Sequence, residues 1–237
     1  MTGTKTTLTC ISPIDGSVYA ERPVATEDEA LQAITAAKVA QKIWAKRPLS
    51  ERIDLVRKGV EKLGEMNDET VLALAHMMGR PIRYGGEFGG VKERANYMAD
   101  IAEEALKPLV IEASDAFERR MIREPHGLIL VIAPWNYPYM TAINTVAPGL
   151  IAGNAVMLKH STQTLLAGEH IRQAFIAAGI PKDLFQNVYL DHSTTGKLIS
   201  SRQFDFVNFT GSVGGGMAIE RAAAGTFTGT GLELGGK

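Results

Sequence analysis

Apolar runs without polar alternation recur in the second half of the chain. The first is Leu128 to Ala133, and similar stretches lie near 155–159, 186–190, 204–209 and 228–233. A continuous, β-branched run suits a strand buried on both faces of a parallel sheet. The segments between them, near 139–152, 163–178, 194–201 and 213–223, read as helices. Strands that alternate with helices predict an α/β fold, an open parallel Rossmann-like sheet with helices on its faces.

The first half has a different rhythm. Residues 8 to 20 form a short extended arm with a turn at Pro13-Ile14-Asp15-Gly16. Thr26 and Glu29 make a capping box, and Ala30, Ile34, Ala37, Gln41 and Trp44 follow at helical spacing. Ser50 is expected to cap a second helix carrying Ile53, Val56, Val60 and Leu63. A third helix runs from Asp68 to Met78 and is stopped by Gly79 and Pro81. Gly85-Gly86 and Gly89-Gly90 mark a loosened connection before a long helix from Val91 to Leu106. Arg119 to Glu124 reads as a strand of alternating character ahead of the main sheet. The expected organisation is an N-terminal arm and helices over 1–117, a separate strand over 118–126, and the parallel-sheet domain over 127–237.

Composition narrows the function only by exclusion. The 237 residues carry a net charge of −1, with 45% hydrophobic and 22% charged residues. That balance points to no nucleic-acid or anionic-membrane partner. No run reaches the ~18 apolar residues of a membrane span, and the polar start has no signal-peptide pattern. The one cysteine, Cys10, fits a reducing compartment, so a cytoplasmic location is expected. No metal-ligand cluster is apparent.

Candidate chemistry collects at strand ends, where open parallel sheets bind ligands. Asn136 lies just past the first strand, and Lys159 ends the second. An amide and a cation there suit an oxyanion and a ribose or phosphate. A turn residue between two prolines and a solvated strand end explain them equally well. No G-x-G-x-x-G follows the first strand, so a dinucleotide would be held otherwise than in a standard Rossmann site. Gly231, Gly236 and Lys237 match the start of a phosphate-binding loop. Glu233 inside such a cradle would repel the ligand, and no helix follows to supply amides. Thr210-Gly211-Ser212 is the better phosphate candidate, lying between a strand and a helix. Gly216 allows close approach and Gly214 and Gly215 add slack; Ser212 also suits an ordinary N-cap.

The ordered set Pro134-Trp135-Asn136, Leu158-Lys159, Phe209-Thr210-Gly211-Ser212 and Leu232-Glu233-Leu234-Gly235-Gly236-Lys237 resembles the NAD(P)-dependent aldehyde dehydrogenase superfamily. The likeness runs through the whole chain, whereas family members are roughly twice as long. The resemblance implies the N-terminal, cofactor-binding portion of that fold, without the catalytic domain. It implies an enzyme oxidising an aldehyde, a semialdehyde among the candidates, with NAD or NADP. Asn136 would form half of an oxyanion hole and Glu233 would act as general base, aided by desolvation between Leu232 and Leu234. Ile132, Ala133, Pro134, Trp135, Lys159, Gly211, Ser212, Gly216 and Leu234 would contact the cofactor.

Thr162 stands where many NAD-preferring members carry a glutamate, which removes a bar to the NADP 2′-phosphate. His160 replaces a common proline and reads as a surface histidine or a contact at the cofactor's edge. Tyr137 and Tyr139 suit either the substrate entrance or helix packing. The strand at 118–126 would belong to an oligomerisation hairpin, so a homo-oligomer is implied for the full-length form. The family nucleophile is a cysteine after the last motif; Cys10 matches no catalytic position. The competing expectation is a naturally short, non-catalytic protein that binds a dinucleotide or pairs with a related subunit.

Overall fold

The computed structural model describes residues 6–235. Gly236 and Lys237, and with them the end of the phosphate-loop match, lie outside the described residues, as do residues 1–5 of the polar start.

Strands β1 (Thr7–Ile11) and β2 (Val18–Pro23) form an antiparallel hairpin across the expected turn, where Gly16 donates to the Ser12 carbonyl at 2.9 Å. Helix α1 (Glu27–Trp44) opens with the predicted capping box: Glu29 N–H donates to Thr26 Oγ1 at 3.2 Å, and Thr26 N–H to Glu29 Oε2 at 2.8 Å. Ala30, Ile34, Ala37 and Trp44 are buried along one stripe, the face expected of an amphipathic helix. Helix α2 (Leu49–Glu65) starts two residues earlier than predicted. Pro48, not Ser50, takes the N-cap, and Ser50 falls inside the first turn. Helix α3 (Asn67–Met78) ends at Gly79, whose φ of 75° is the left-handed conformation a C-terminal glycine supplies.

The expected helix from Val91 to Leu106 is two helices, α4 (Phe88–Asp100) and α5 (Ala102–Leu106), separated at Ile101. Gly89 and Gly90 belong to α4 and do not loosen it. A Cβ on Gly90 would lie 2.6 Å from Met140 Sδ, so this glycine brings α4 close to the helix after the first core strand. Strands β3 (Leu109–Ala113) and β4 (Glu118–Met121) pair antiparallel, with Leu109 opposite Met121. The sequence marked only the second strand, and placed it over 119–124. Both are exposed along their length, so burial leaves no sharp imprint on their composition.

The remaining elements are β5 (Leu128–Ala133), α6 (Pro138–Ile151), β6 (Ala155–His160), α7 (Leu165–Ala177), β7 (Phe185–Asn187), α8 (His192–Ser200), β8 (Phe206–Gly211), α9 (Val213–Ala223) and β9 (Gly229–Leu234). The five strands form one parallel sheet in the order β7-β6-β5-β8-β9. β7 is shorter than predicted, and β8 lies two residues further on. Apolar content marks a buried segment, whereas hydrogen-bonded register sets its ends. Phe204 is buried before β8 begins, and Asp205 Oδ2 accepts Leu128 N–H at 2.7 Å.

One hydrophobic core runs from Ala30 and Trp44 through Leu128 to Leu158 and on to Ile219. α1, α6 and α7 pack on the β5 to β7 side of the sheet, and α9 packs on β8 and β9. α2 and α4 lie on α6. The architecture is thus an α/β parallel sheet with flanking helices, joined to the N-terminal helices through a shared core.

Candidate functional site

The chain reverses its progress across the sheet at β5. β6 and β7 add on one side, then β8 and β9 on the other. Strand ends splay at such a switch point and leave a crevice. A cleft of about 650 Å³ opens there, lined by the C-terminal ends of β5, β6, β8 and β9 and the loops that follow them.

Register decides which side chains enter it. Ile132 pairs with Lys159 on one side and with Phe209 on the other, so these residues share a face. All line the cleft. The next row, Ala133 with His160, alternates. The His160 ring goes under α7, where a Cβ on Gly168 would lie 3.2 Å from its Cδ2. His160 is therefore neither a surface histidine nor part of the cleft lining; it is 4% exposed. Both its ring nitrogens are buried without a hydrogen-bond partner. Burial, helped by the neighbouring Lys159 charge, drives its pKa down to about 3.

Lys159 is 7% exposed, which replaces the expectation of a solvated strand end. Burial holds its ammonium below the usual lysine range, opposed by the nearby Asp191 carboxylate. A cation kept from water beside an open cleft is set to pair with an anionic ligand. Across the cleft, Ser212 caps α9: its hydroxyl accepts Gly215 N–H at 3.1 Å. The N-terminal end of an eleven-residue helix therefore meets the cleft at Ser212, where outward amides and the helix dipole favour an anion.

Asn136 lies in the loop between β5 and α6 and is exposed. Its Oδ1 accepts Tyr137 N–H at 3.1 Å, and its backbone carbonyl accepts Arg80 Nη2 at 2.9 Å. With Oδ1 engaged, the side-chain nitrogen, a pure donor, is left to face a ligand. Glu233, level with Thr210 in the sheet, borders the same cleft. It is exposed, not desolvated between its leucines, because β9 is an edge strand on which Leu234 is itself 41% exposed. Its position inside β9 also replaces the phosphate-loop geometry with an extended strand.

Pro134, Trp135, Thr162, Gly211 and Leu234 also line the cleft, with Ile132 and Ala133. Gly216 does not; it faces Leu234 from α9, where a Cβ would lie 2.4 Å from Leu234 Cδ2. Gly215 likewise packs on Phe209 and adds no slack, since a Cβ there would come within 2.5 Å of the ring. Tyr139 is buried, and its hydroxyl lies 2.7 Å from His170 Nδ1, so it is a packing residue between α6 and α7. Cys10 is buried in a satellite cluster, its thiol donating to the Gln163 carbonyl at 3.1 Å and pushed up in pKa by burial.

The structure adds Ser161 and His192 to the lining, which also includes Thr210 and Gly235 of the sequence motifs. Ser161 and His192 follow a strand and a capping Asp191, a position that flags them in the sequence. Nothing marks Arg80, some fifty residues before the loop it contacts. A larger groove of about 1050 Å³ runs along α1, lined by Leu31, Val39 and Ile43. It touches no strand end, so the smaller cleft is the chemical candidate. Among the described residues, no group of acidic, His or Cys side chains is arranged to hold a metal. No helix there is long and apolar enough to cross a membrane.

A parallel sheet with a cation and an amide at its switch point defines an α/β protein with a ligand-sized cleft at its strand ends. The chain belongs to the aldehyde dehydrogenase family, whose model matches residues 1–237. It is 33% identical over 95% of its length to a benzaldehyde dehydrogenase (NAD⁺) of Pseudomonas putida, and covers 47% of that protein. It is 29% identical over 95% of its length to a succinate-semialdehyde dehydrogenase (NADP⁺) of Deinococcus radiodurans, and covers 47% of that protein. The solved NADP-dependent glyceraldehyde-3-phosphate dehydrogenase of Bacillus halodurans, complexed with NADP, superposes with a TM-score of 0.89 at 31% identity. That match covers all of this chain and 50% of that one. The chain spans about half the length of the relatives it matches.

Proposed function

We propose that this chain is the cofactor-binding portion of an NAD- or NADP-dependent enzyme that oxidises an aldehyde to a carboxylic acid. The observation that carries this is convergence: Asn136, Lys159, Ser212 and Glu233, from four strand ends, border one cleft. The cleft's donor set fits a dinucleotide, because a buried cation and a capped helix N-terminus both favour phosphate. Lys159, Gly211 and Ser212 would hold it, against Ile132, Pro134 and Trp135. A bound nicotinamide supplies the two-electron oxidant. Thr162, exposed beside Lys159 in the cleft, can donate a hydrogen bond to a 2′-phosphate, so NADP is accommodated.

Asn136 would donate its amide to the oxyanion formed when a nucleophile adds to the aldehyde, an interaction whose loss typically costs ~10²–10³ in rate. Glu233 would take up protons as base, either from the attacking thiol or from the hydrolytic water. The family nucleophile is a cysteine, and Cys10 is remote from this role in its own buried cluster. The chain alone is therefore expected to bind dinucleotide without turning over aldehyde. The single cysteine, Cys10, supports a reducing compartment such as the cytoplasm. Exposed apolar residues on β3 and β4, Leu109, Val110, Ile111 and Met121, favour pairing with a second subunit.

Trp135 provides the test. It lines the cleft and is 53% exposed, whereas the second tryptophan, Trp44, is buried. Saturable quenching of tryptophan fluorescence by NADP⁺ or NAD⁺, lost in Lys159→Ala and Trp135→Phe, is expected. No binding of either dinucleotide would overturn the proposal.

A further inference from the structure

Asn136 is gripped from behind by a buried ion pair that comes from the connection between α3 and α4. The side chains of Arg80 and Glu87 are 14% and 2% exposed. Glu87 Oε1 accepts Arg80 Nη1 at 2.8 Å, while its Oε2 accepts the N–H groups of Met140 at 2.8 Å and Tyr139 at 3.1 Å. The carboxylate thus satisfies first-turn amides of α6, whose N-cap Tyr137 makes no side-chain capping bond. A negative charge is favoured at that end of a helix. The other arm of Arg80, Nη2, donates to the Asn136 carbonyl at 2.9 Å, and the guanidinium stands 4.9 Å from the Tyr137 ring centre.

Capping α6 would require only Glu87. The second arm of the arginine fork is aimed instead at the backbone of Asn136. Its carbonyl is tied to Arg80 and its Oδ1 to the next amide, so both ends of the residue are fixed before any ligand arrives. Burial alone would favour the neutral Glu87 acid, and its carboxyl is raised accordingly; the two amides and Arg80 oppose that rise. A planar fork can hold a carboxylate and a carbonyl at once, which a lysine ammonium on a flexible stem cannot do in fixed geometry.

We infer that Arg80 and Glu87 are positioning residues for Asn136, orienting its amide toward the developing oxyanion. The inference rests on the oxyanion-donor role proposed for Asn136 above.

The test compares Arg80→Lys, Asn136→Ala and the double variant in the complete polypeptide that carries the family's nucleophilic cysteine. Displacement of a catalytic group by about 1 Å can cost ~10²-fold. Arg80→Lys is expected to lower kcat about 10- to 100-fold while the aldehyde KM and dinucleotide Kd stay within about twofold. The double variant is expected to be no slower than Asn136→Ala alone, because a positioning effect vanishes with the group it positions. Additive losses in the double variant, or an unchanged kcat in Arg80→Lys, would overturn the inference. If Asn136→Ala itself leaves kcat unchanged, the oxyanion role falls and the positioning role with it. If Asn136→Ala slows turnover and Arg80→Lys does not, only the positioning role falls. Should Arg80→Lys melt below the assay temperature, Glu87→Gln carries the same cycle, since it leaves the fork present but unanchored.

Discussion

Gly216 in α9 sits so close to Leu234 in β9 that a Cβ on the glycine would fall 2.4 Å from Leu234 Cδ2. Leu234 is 41% exposed and borders the cleft, so its side chain has room to rotate away rather than clash. Gly216→Ala is therefore expected to change stability by less than about 1 kcal/mol while pushing Leu234 into the space proposed for the dinucleotide. Affinity for NADP⁺ should fall about tenfold, and Leu234→Ala in the same chain should restore it. Paired titrations of the single and double variants decide this; an unaltered Kd in Gly216→Ala would refute it.

Lys159 is expected to trade stability for binding. Its folded-state pKa lies below the ordinary 10.5, so the folded chain sheds this proton before the unfolded chain does. Stability gains from this group as pH rises through the interval between the lowered value and 10.5, and at neutral pH its burial is a cost. Lys159→Met, which keeps much of the volume without the charge, should raise stability at pH 7 by about 1 kcal/mol and abolish dinucleotide binding. Urea unfolding measures the first and fluorescence quenching the second. A destabilised Lys159→Met would show that the cation is paired well enough to repay its burial.

His160 makes the fold acid-sensitive. Its folded pKa of about 3 lies below the ordinary imidazole value of 6.5, so its neutral form is the one folding selects. The contribution is present above about pH 6.5 and is lost as pH falls toward about 3, by up to ~1.4 kcal/mol per pH unit. In His160→Leu, stability between pH 6.5 and 4.5 should fall less steeply with acidification than in the parent. Parallel slopes from chemical unfolding at several pH values would exclude His160 as the titrating group.

Thr162 is expected to set the cofactor range. A carboxylate placed there, close to Lys159 in the cleft, would neutralise the cation and repel a 2′-phosphate. Thr162→Glu is expected to weaken NADP⁺ binding about tenfold while NAD⁺ binding is unchanged or improved. Competition titrations with the two dinucleotides read the ratio; equal losses for both would show that the residue does not face the ribose.

Much of the fold was legible because its signals are local. β-branched runs with no polar alternation mark β5 and β6, the Thr26 box marks the start of α1, and Ser212 marks the start of α9. The placement of Asn136 and Lys159 at strand ends was legible for the same reason, since strand ends are where parallel sheets bind ligands, whereas Glu233 was singled out through the family resemblance. The hairpin partner β3 was missed because both strands are exposed, and exposure erases the apolar pattern.

By itself, then, the sequence determined the alternation of strand and helix, the caps, and the order in which strand-end residues arrive. Tertiary structure alone decided that Lys159 faces the cleft while His160 turns under α7, because facing follows from pairing with Ile132 and Ala133. It decided that Glu233 stays exposed on an edge strand, and that Gly216 accommodates a leucine. It also brought Arg80 and Glu87 from a glycine-rich connection to the loop and first turn around Asn136. Caps and periodicity act within a few residues, whereas which buried charge meets which carbonyl depends on how distant segments pack.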